Sequence, residues 1–364
     1  MNILYLSKLK GSLGAGITYC IPEQIYAQSK FDNVFWLNLN HKRMNCWEKG
    51  ELFHNLDTIV PRLAQLPPPF NKPDLVISQQ SYNNPFSRII WDVQKAKIPY
   101  IIIPHGEYNK CAQKEKRLKK IIGNFLWFNR MIRKSVAIEY LTENEYKNSA
   151  WPRKEHIIIP NGILLPEFQK SYYPLKEIRA SFIGRLSINH KGLDILLEAV
   201  SLVKDELKSS NFSLNIFGPD ENGSKNVLQR MIEKMHLQDI VSLKEGVYGE
   251  EKNKILENTD LFVLTSRYEG HPIALLEALS YGIPSLVTPG TNMDKEVFQY
   301  DAGWCAEFDA TSISETLLTI TKSKNEWERK SANARNLASI YSWESVAQKA
   351  HFEYEKILKE EKCV

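Results

Sequence analysis

The chain has 364 residues, 43% of them hydrophobic and 25% charged, with a formal net charge of +4. That length exceeds the usual single hydrophobic core and points to two domains, and the composition argues against long disorder. The small net charge argues against nucleic acid as a partner of the whole molecule, and five scattered cysteines, at 20, 46, 111, 305 and 363 with no CxxC pair, read as free thiols rather than a zinc site or disulfide framework.

The start, Met1-Asn2-Ile3-Leu4-Tyr5-Leu6-Ser7, reads as a first strand rather than a signal peptide, and no apolar run approaches the roughly 20 residues of a membrane span. A cytoplasmic location is therefore expected. Short runs rich in Ile, Val and Phe alternate with stretches of helical period, the pattern of repeated βα units around parallel sheets. The fold class is α/β. Strands are expected at Ile3 to Leu6, Val34 to Leu37, Leu75 to Ile77, Tyr100 to Ile103, Ala137 to Tyr140 and Ile157 to Ile159.

Between the first two strands, Gly11-Ser-Leu-Gly-Ala-Gly16 allows close backbone approach to a phosphate or sugar, or serves as an ordinary turn; it is neither G-x-G-x-x-G nor a Walker loop. Pro67-Pro68-Pro69 reads as a stiff loop. His105 follows the run Pro99-Tyr-Ile-Ile-Ile-Pro104 on the ligand-binding edge of a first sheet, where it reads either as a structural histidine or as a donor contact. Lys110 to Lys134 holds nine Lys or Arg against one Glu, interleaved with Leu118, Ile121, Ile122, Phe125, Leu126, Trp127, Phe128, Met131 and Ile132. It reads as a basic amphipathic helix, either packed on the sheet or resting on an anionic membrane.

Periodicity lapses over Pro160 to Pro174, so the domains are expected at 1–165 and 166–342, with a terminal helix at 343–361 after Ser342 returning to the first. The second half repeats the alternation, with strands from Ser181 and near Leu214 to Phe217, Val241 to Leu243, Leu261 to Leu264, Ser285 to Val287 and Trp304 to Ala306. After Ser181-Phe-Ile-Gly184 come Arg185 and Lys191, two cations beyond one strand's carboxyl end. They suit a diphosphate there, or are exposed surface charges.

Leu261-Phe-Val-Leu-Thr-Ser-Arg-Tyr-Glu269-Gly-His-Pro-Ile-Ala-Leu-Leu-Glu277 reads as strand, loop and helix, with Pro272 suited to the first helical turn. The helix start would offer the Ile273 and Ala274 amides to a phosphate. Glu269 and Glu277 then suit hydroxyls rather than phosphate, although bare spacing favours reading them as solvated helix-end glutamates.

Together these residues resemble glycosyltransferase family 4, the retaining GT-B enzymes, over essentially the whole chain. The specific match is a glutamate, seven residues and a second glutamate, here Glu269-Gly-His-Pro-Ile-Ala-Leu-Leu-Glu277-Ala. The resemblance implies two doubly wound Rossmann-like domains with a cleft between them. It implies that Arg185 and Lys191 hold the donor diphosphate, that Glu269 holds sugar hydroxyls and that Glu277 holds the ribose, with His105 near the reacting sugar. Gly14, Gly16, Gly184, Gly218, Gly270, His271, Pro272, Ile273 and Ala274 would line the donor site. His271 departs from the family, standing where Phe or another large apolar residue is usual.

The activity so implied is a hexosyltransferase-type reaction of class EC 2.4. A sugar passes from a UDP- or GDP-sugar to a glycan or polyprenyl-linked glycan in bacterial surface polysaccharide assembly, with retention and with neither cofactor nor metal. The alternatives are an acceptor-independent sugar-nucleotide epimerase or hydrolase, and a catalytically silent binding subunit of a glycan assembly complex.

Overall fold

Strands rich in β-branched and aromatic residues suit a parallel sheet covered on both faces, since their side chains pack well on a pleated, buried surface. The computed structural model describes residues 1–12, 15–82, 88–114, 117–152, 155–168, 170 and 176–362 and contains two such sheets, of seven and six strands. The chain divides into two compact units, Met1–Gly162 with Trp343–Val364, and Ile163–Ser342. Of the segment expected to hold the boundary, Pro174 lies outside the described residues.

In the first unit the strands are β1 (Asn2–Ser7), β2 (Asn33–Asn38), β3 (Phe53–Asn55), β4 (Leu75–Gln79), β5 (Tyr100–Ile103), β6 (Ala137–Tyr140) and β7 (His156–Ile158). They lie in the order β3-β2-β1-β4-β5-β6-β7, all paired in parallel. The order reverses direction between β1 and β4, which opens a crevice outside their carboxyl ends. Helices Ile17–Gln28 and Trp343–Lys362 pack together in this unit, and His351 on the second places Nδ1 3.0 Å from Asp32 Oδ2.

The second unit holds β8 (Ile178–Ile183), β9 (Phe212–Phe217), β10 (Val241–Lys244), β11 (Leu261–Leu264), β12 (Ser285–Val287) and β13 (Gly303–Cys305) in the order β10-β9-β8-β11-β12-β13. The reversal here falls between β8 and β11, and the two expected functional loops leave the carboxyl ends of those strands. A continuous core including Phe182, Ile216, Phe262, Leu276 and Leu286 sits around this sheet.

Four expectations change. The short β3 was not anticipated, because Phe53-His-Asn55 is too brief to show alternation. β7 and β13 each begin and end one residue earlier than the hydrophobic run suggested. The basic stretch is not one helix: Lys110–Lys114 is separate from Arg117–Gly123, residues 115 and 116 lie outside the described set, and a π-helical turn at Asn124–Phe128 precedes Asn129–Lys134. Gly123 permits that turn, since a Cβ there would lie 2.9 Å from the Phe128 ring. Finally, Pro272 is the N-cap rather than a residue of the first turn.

Cys20, Cys46 and Cys305 are free thiols, whereas the Cys111 side chain and Cys363 lie outside the description.

Candidate functional site

Close backbone approach builds the carboxyl edge of the second unit. Gly218, just past β9, lies so near the β8 loop that a Cβ would fall 1.9 Å from Gly184 O. Gly192, at φ +63°, would place a Cβ 2.1 Å from Thr265 O, and Gly290 one 2.1 Å from Ser266 O. Side chains at these positions would hold the loops after β8, β9, β11 and β12 apart.

Within this edge the helical turn Ile188–Lys191 is tied to the β11 loop. Arg267 Nη1 and Nη2 donate to Asp194 Oδ1 and Oδ2 at 2.9 and 2.7 Å, Nη1 also to Ile188 O, and the Arg267 amide to His190 O at 2.8 Å. A bidentate guanidinium–carboxylate pair fixes orientation as well as distance. The Arg267 guanidinium lies 5.0 Å from the Phe308 ring centre, a further constraint.

So held, Lys191 Nζ donates to Glu269 Oε1 at 2.5 Å, and Ser266 Oγ donates to the same oxygen at 2.6 Å. His190 Nε2 lies 3.6 Å from Glu269 Oε2, its ring stacked on Tyr268 at 4.5 Å between centres. The Glu269 side chain is only 9% exposed. Burial alone would raise its pKa, but Lys191 and His190 outweigh burial and hold the carboxyl well below the usual range. Glu269 is therefore a carboxylate near neutral pH, and its main cation is Lys191.

The helix Ile273–Ser280 starts four residues later. Leu275 and Leu276 donate their amides to Pro272 O at 3.0 and 3.1 Å, while the Ile273 and Ala274 amides have no intrahelical carbonyl behind them. Asn292 Nδ2 donates to the Glu269 and Gly270 carbonyls and so pins the loop ahead of the helix. Glu277, one turn in, accepts from Lys252 Nζ at 2.5 Å. His271 is buried, its ring centre 5.1 Å from that of Tyr341, and burial pushes its pKa down to about 3, so it stands neutral.

The structure thus joins Lys191 to Glu269 and leaves Arg185 apart, paired with Glu221 and with Nη2 3.5 Å from His190 Nδ1. Gly184 and Gly218 meet as backbone, and Gly270 to Ala274 form the loop and helix start. Arg267, Asp194 and Asn292 escaped sequence reading, since Arg267 and Asp194 are 73 residues apart and Asn292 meets backbone atoms, and Ser266 escaped it although Glu269 is only three residues away.

In the first unit His105 follows β5 at φ +49°. Its Nε2 lies 2.5 Å from Gln79 Oε1, and burial lowers its pKa to about 4. The following amide, Gly106 N–H, donates to the buried Glu145 carboxyl at 2.6 Å, and burial pushes Glu145 up to about 7. Glu107 accepts from the Ser81 amide at 2.9 Å and is likewise raised to about 7 by burial. Gly16 is the N-cap of the Ile17–Gln28 helix, and Gly14 lies outside the described residues.

Chemically, a half-buried cation beside helix amides that lack an intrahelical carbonyl suits an anion, and carboxylates flanking it suit hydroxyls.

Residues 166–337 match the family model described as glycosyl transferases group 1. Mannosylfructose-phosphate synthase of Agrobacterium fabrum is 27% identical over 172 residues, 46% of this chain and 38% of that protein. GDP-mannose:cellobiosyl-diphosphopolyprenol alpha-mannosyltransferase of Komagataeibacter xylinus is 25% identical over 259 residues, 67% of this chain and 62% of that protein. The chain thus spans less than two-thirds of the length of either. Among solved structures, Anabaena HepE in complex with UDP and glucose aligns with a TM-score of 0.72 at 15% identity, covering 98% of this chain and 100% of that one. That likeness shows the fold, which is GT-B.

Proposed function

Because residues 166–337 match the family model described as glycosyl transferases group 1, we propose that the chain moves a sugar from a UDP- or GDP-sugar to a glycan or lipid-linked glycan acceptor. The observation that carries this reading is the Lys191–Glu269 pair immediately ahead of the Ile273–Ser280 helix start. The UDP and glucose named with the Anabaena structure, and the GDP-mannose and diphosphopolyprenol named with the Komagataeibacter enzyme, support these classes of donor and acceptor.

In this reading Lys191 exchanges Glu269 for the donor diphosphate, joined by the Ile273 and Ala274 amides, and Glu269 is released to accept hydroxyls of the donor sugar. Glu277 accepts ribose hydroxyls and Arg185 supports the phosphates once it leaves Glu221. The bond from the anomeric carbon to the diphosphate breaks, and the acceptor oxygen bonds to that carbon on the same face, retaining configuration. The acceptor's proton passes to the departing phosphate oxygen. Lys191 and the helix N-terminus supply positive charge in place of a metal.

The test is transfer from UDP- and GDP-sugars to a polyprenyl-diphosphate glycan. Lys191→Ala should lower the rate about 100-fold or more, because a fixed charge at the developing phosphate is lost. Near-normal kinetics in that variant would remove the diphosphate site.

Surface polysaccharide assembly at the inner face of the cell membrane is part of the same proposal. No helix of the described residues is long and apolar enough to cross a membrane. However, Leu118 is 78% and Phe125 82% exposed, and Ile121, Ile122, Leu126 and Trp127 are exposed beside them. Lys119, Lys120, Arg130, Arg133 and Lys134 lie in the same stretch of sequence, and its net charge complements an anionic bilayer. Phe125→Ser should weaken co-sedimentation with vesicles of anionic lipid several-fold, and binding indifferent to lipid charge would argue against the docking.

A further inference from the structure

A chain of buried amides and one carboxyl runs beneath His105. Gln79, the last residue of β4, places Oε1 2.5 Å from His105 Nε2. Gln79 Nε2 donates to Gln24 Oε1 at 2.9 Å, and Gln24 Nε2 donates to Glu139 Oε1 at 3.2 Å. Glu139, in the middle of β6, accepts at its other oxygen from Tyr354 Oη at 2.6 Å. Gln24, Gln79, Glu139 and Tyr354 are all buried, Gln24 on the Ile17–Gln28 helix and Tyr354 on the terminal helix.

The chain has one direction. An amide has a donor end and an acceptor end, so presenting NH2 to Glu139 turns the Gln24 carbonyl toward Gln79. That fixes the Gln79 NH2 on Gln24 and its carbonyl on His105. A carbonyl can only accept, so His105 must carry its proton on Nε2 and keep Nδ1 as the acceptor.

We propose that Glu139 is a positioning residue for His105, setting its Nε2–H tautomer through Gln24 and Gln79, with the terminal helix holding Glu139 in place through Tyr354. The consequence for reaction rests on the reading of His105 as a contact of the reacting sugar: Nδ1 is then held ready to accept a hydroxyl. Burial pushes the Glu139 carboxyl up to about 8, opposed by the hydrogen bonds from Tyr354 and Gln24. The carboxylate, and a carboxyl whose proton sits on the oxygen facing Tyr354, both leave Oε1 as the acceptor for Gln24 and so keep the direction of the amides.

Leaving such polar groups inside a sheet is costly unless every link is satisfied, and a buried donor or acceptor without its partner is disfavoured strongly. An apolar residue at 24 and at 139 would fill the same space with no such demand. A carboxyl in an otherwise apolar strand, joined to an active-edge histidine by two glutamines in register, is accounted for by the tautomer it imposes.

The test is the ¹⁵N spectrum of the His105 ring in the full chain, assigned by its disappearance in His105→Asn. The unaltered protein should show protonated Nε2 and unprotonated Nδ1. Glu139→Gln can offer Gln24 either end of its own amide, so the two tautomers should mix, and kcat should fall about tenfold with the acceptor KM little changed. Gln24→Leu breaks the middle link without touching the carboxyl and should give the same mixture, so it carries the test if Glu139→Gln folds poorly. A pure Nε2–H tautomer in either folded variant overturns the proposal, whatever the activity does. Full transfer by His105→Asn, with the tautomer still set by Glu139, would instead remove the role of His105 and leave the positioning chain standing.

Discussion

The two units share a strand order about a reversal point, β2-β1-β4 in one and β9-β8-β11 in the other, yet their carboxyl edges use opposite chemistry. The second unit gathers ion pairs: Lys191–Glu269, Arg267–Asp194 and Lys252–Glu277. The first holds His105 by an uncharged chain of amides and places Glu107, Glu139 and Glu145 where burial raises their pKa values. An edge of ion pairs can hand its cation from a carboxylate to a phosphate, leaving the released carboxylate to accept hydroxyls. An edge of neutral amides fixes hydrogen-bond direction instead, which suits hydroxyls. The same backbone architecture therefore leaves ligand class to the side chains at the strand ends.

The comparison breaks most severely at Gly192. Gly192→Ala adds a Cβ where Thr265 O lies 2.1 Å away and where φ is +63°, so the Ile188–Lys191 turn must lift from β11. Donor-dependent transfer should fall about 100-fold, and thermal melting should show a loss of about 2 kcal/mol or more. Unaltered melting and kinetics would mean that the turn does not depend on that approach.

A smaller effect is expected at Glu277. Glu277→Gln keeps a hydroxyl acceptor but weakens the pair with Lys252, so the donor KM should rise about tenfold while kcat holds, as a uniform binding loss does. A fall in kcat alone would place Glu277 nearer the chemistry than the ribose.

The mildest change is His271→Phe. His271 is held near 3 when folded and titrates near 6.5 when unfolded, so it stabilises fully above about 6.5 and loses stability as pH falls from there toward 3. Melting of His271→Phe should fall less between pH 7 and pH 5 than melting of the unaltered chain. Equal slopes would show that His271 is protonated alike in both states.

Alternation of apolar runs made the α/β class and most strands legible, because strands such as β5 and β11 are buried on both faces and apolar throughout. Edge strands were harder: β3, β7 and β13 are three residues each, too short for periodicity to set their ends. The π-helical turn at Asn124–Phe128 was illegible for a related reason, since one extra residue in a turn leaves the apolar pattern intact.

At the candidate site, positions 105, 185, 191 and 269 could be read as residues following strands, but not which of them meet. Lys191 and Glu269 are 78 residues apart, and Arg185 turned to Glu221 although it lies closer in sequence to Lys191. Such pairing is decided by how the glycine-lined loops close, which single-sequence patterns do not encode. Glu139 did leave a signal, a lone carboxyl inside Ala137–Tyr140, but its partners Gln24 and Tyr354 come from two other elements.

The most direct test of the central claim is calorimetric titration of UDP and GDP into the full chain and into Lys191→Ala. One of the two nucleotides should bind the unaltered chain, and Lys191→Ala should bind it at least about tenfold more weakly, the loss of one charge-assisted contact to phosphate. Equal affinity in both proteins, or no binding of either nucleotide by the unaltered chain, would contradict a diphosphate site at Lys191.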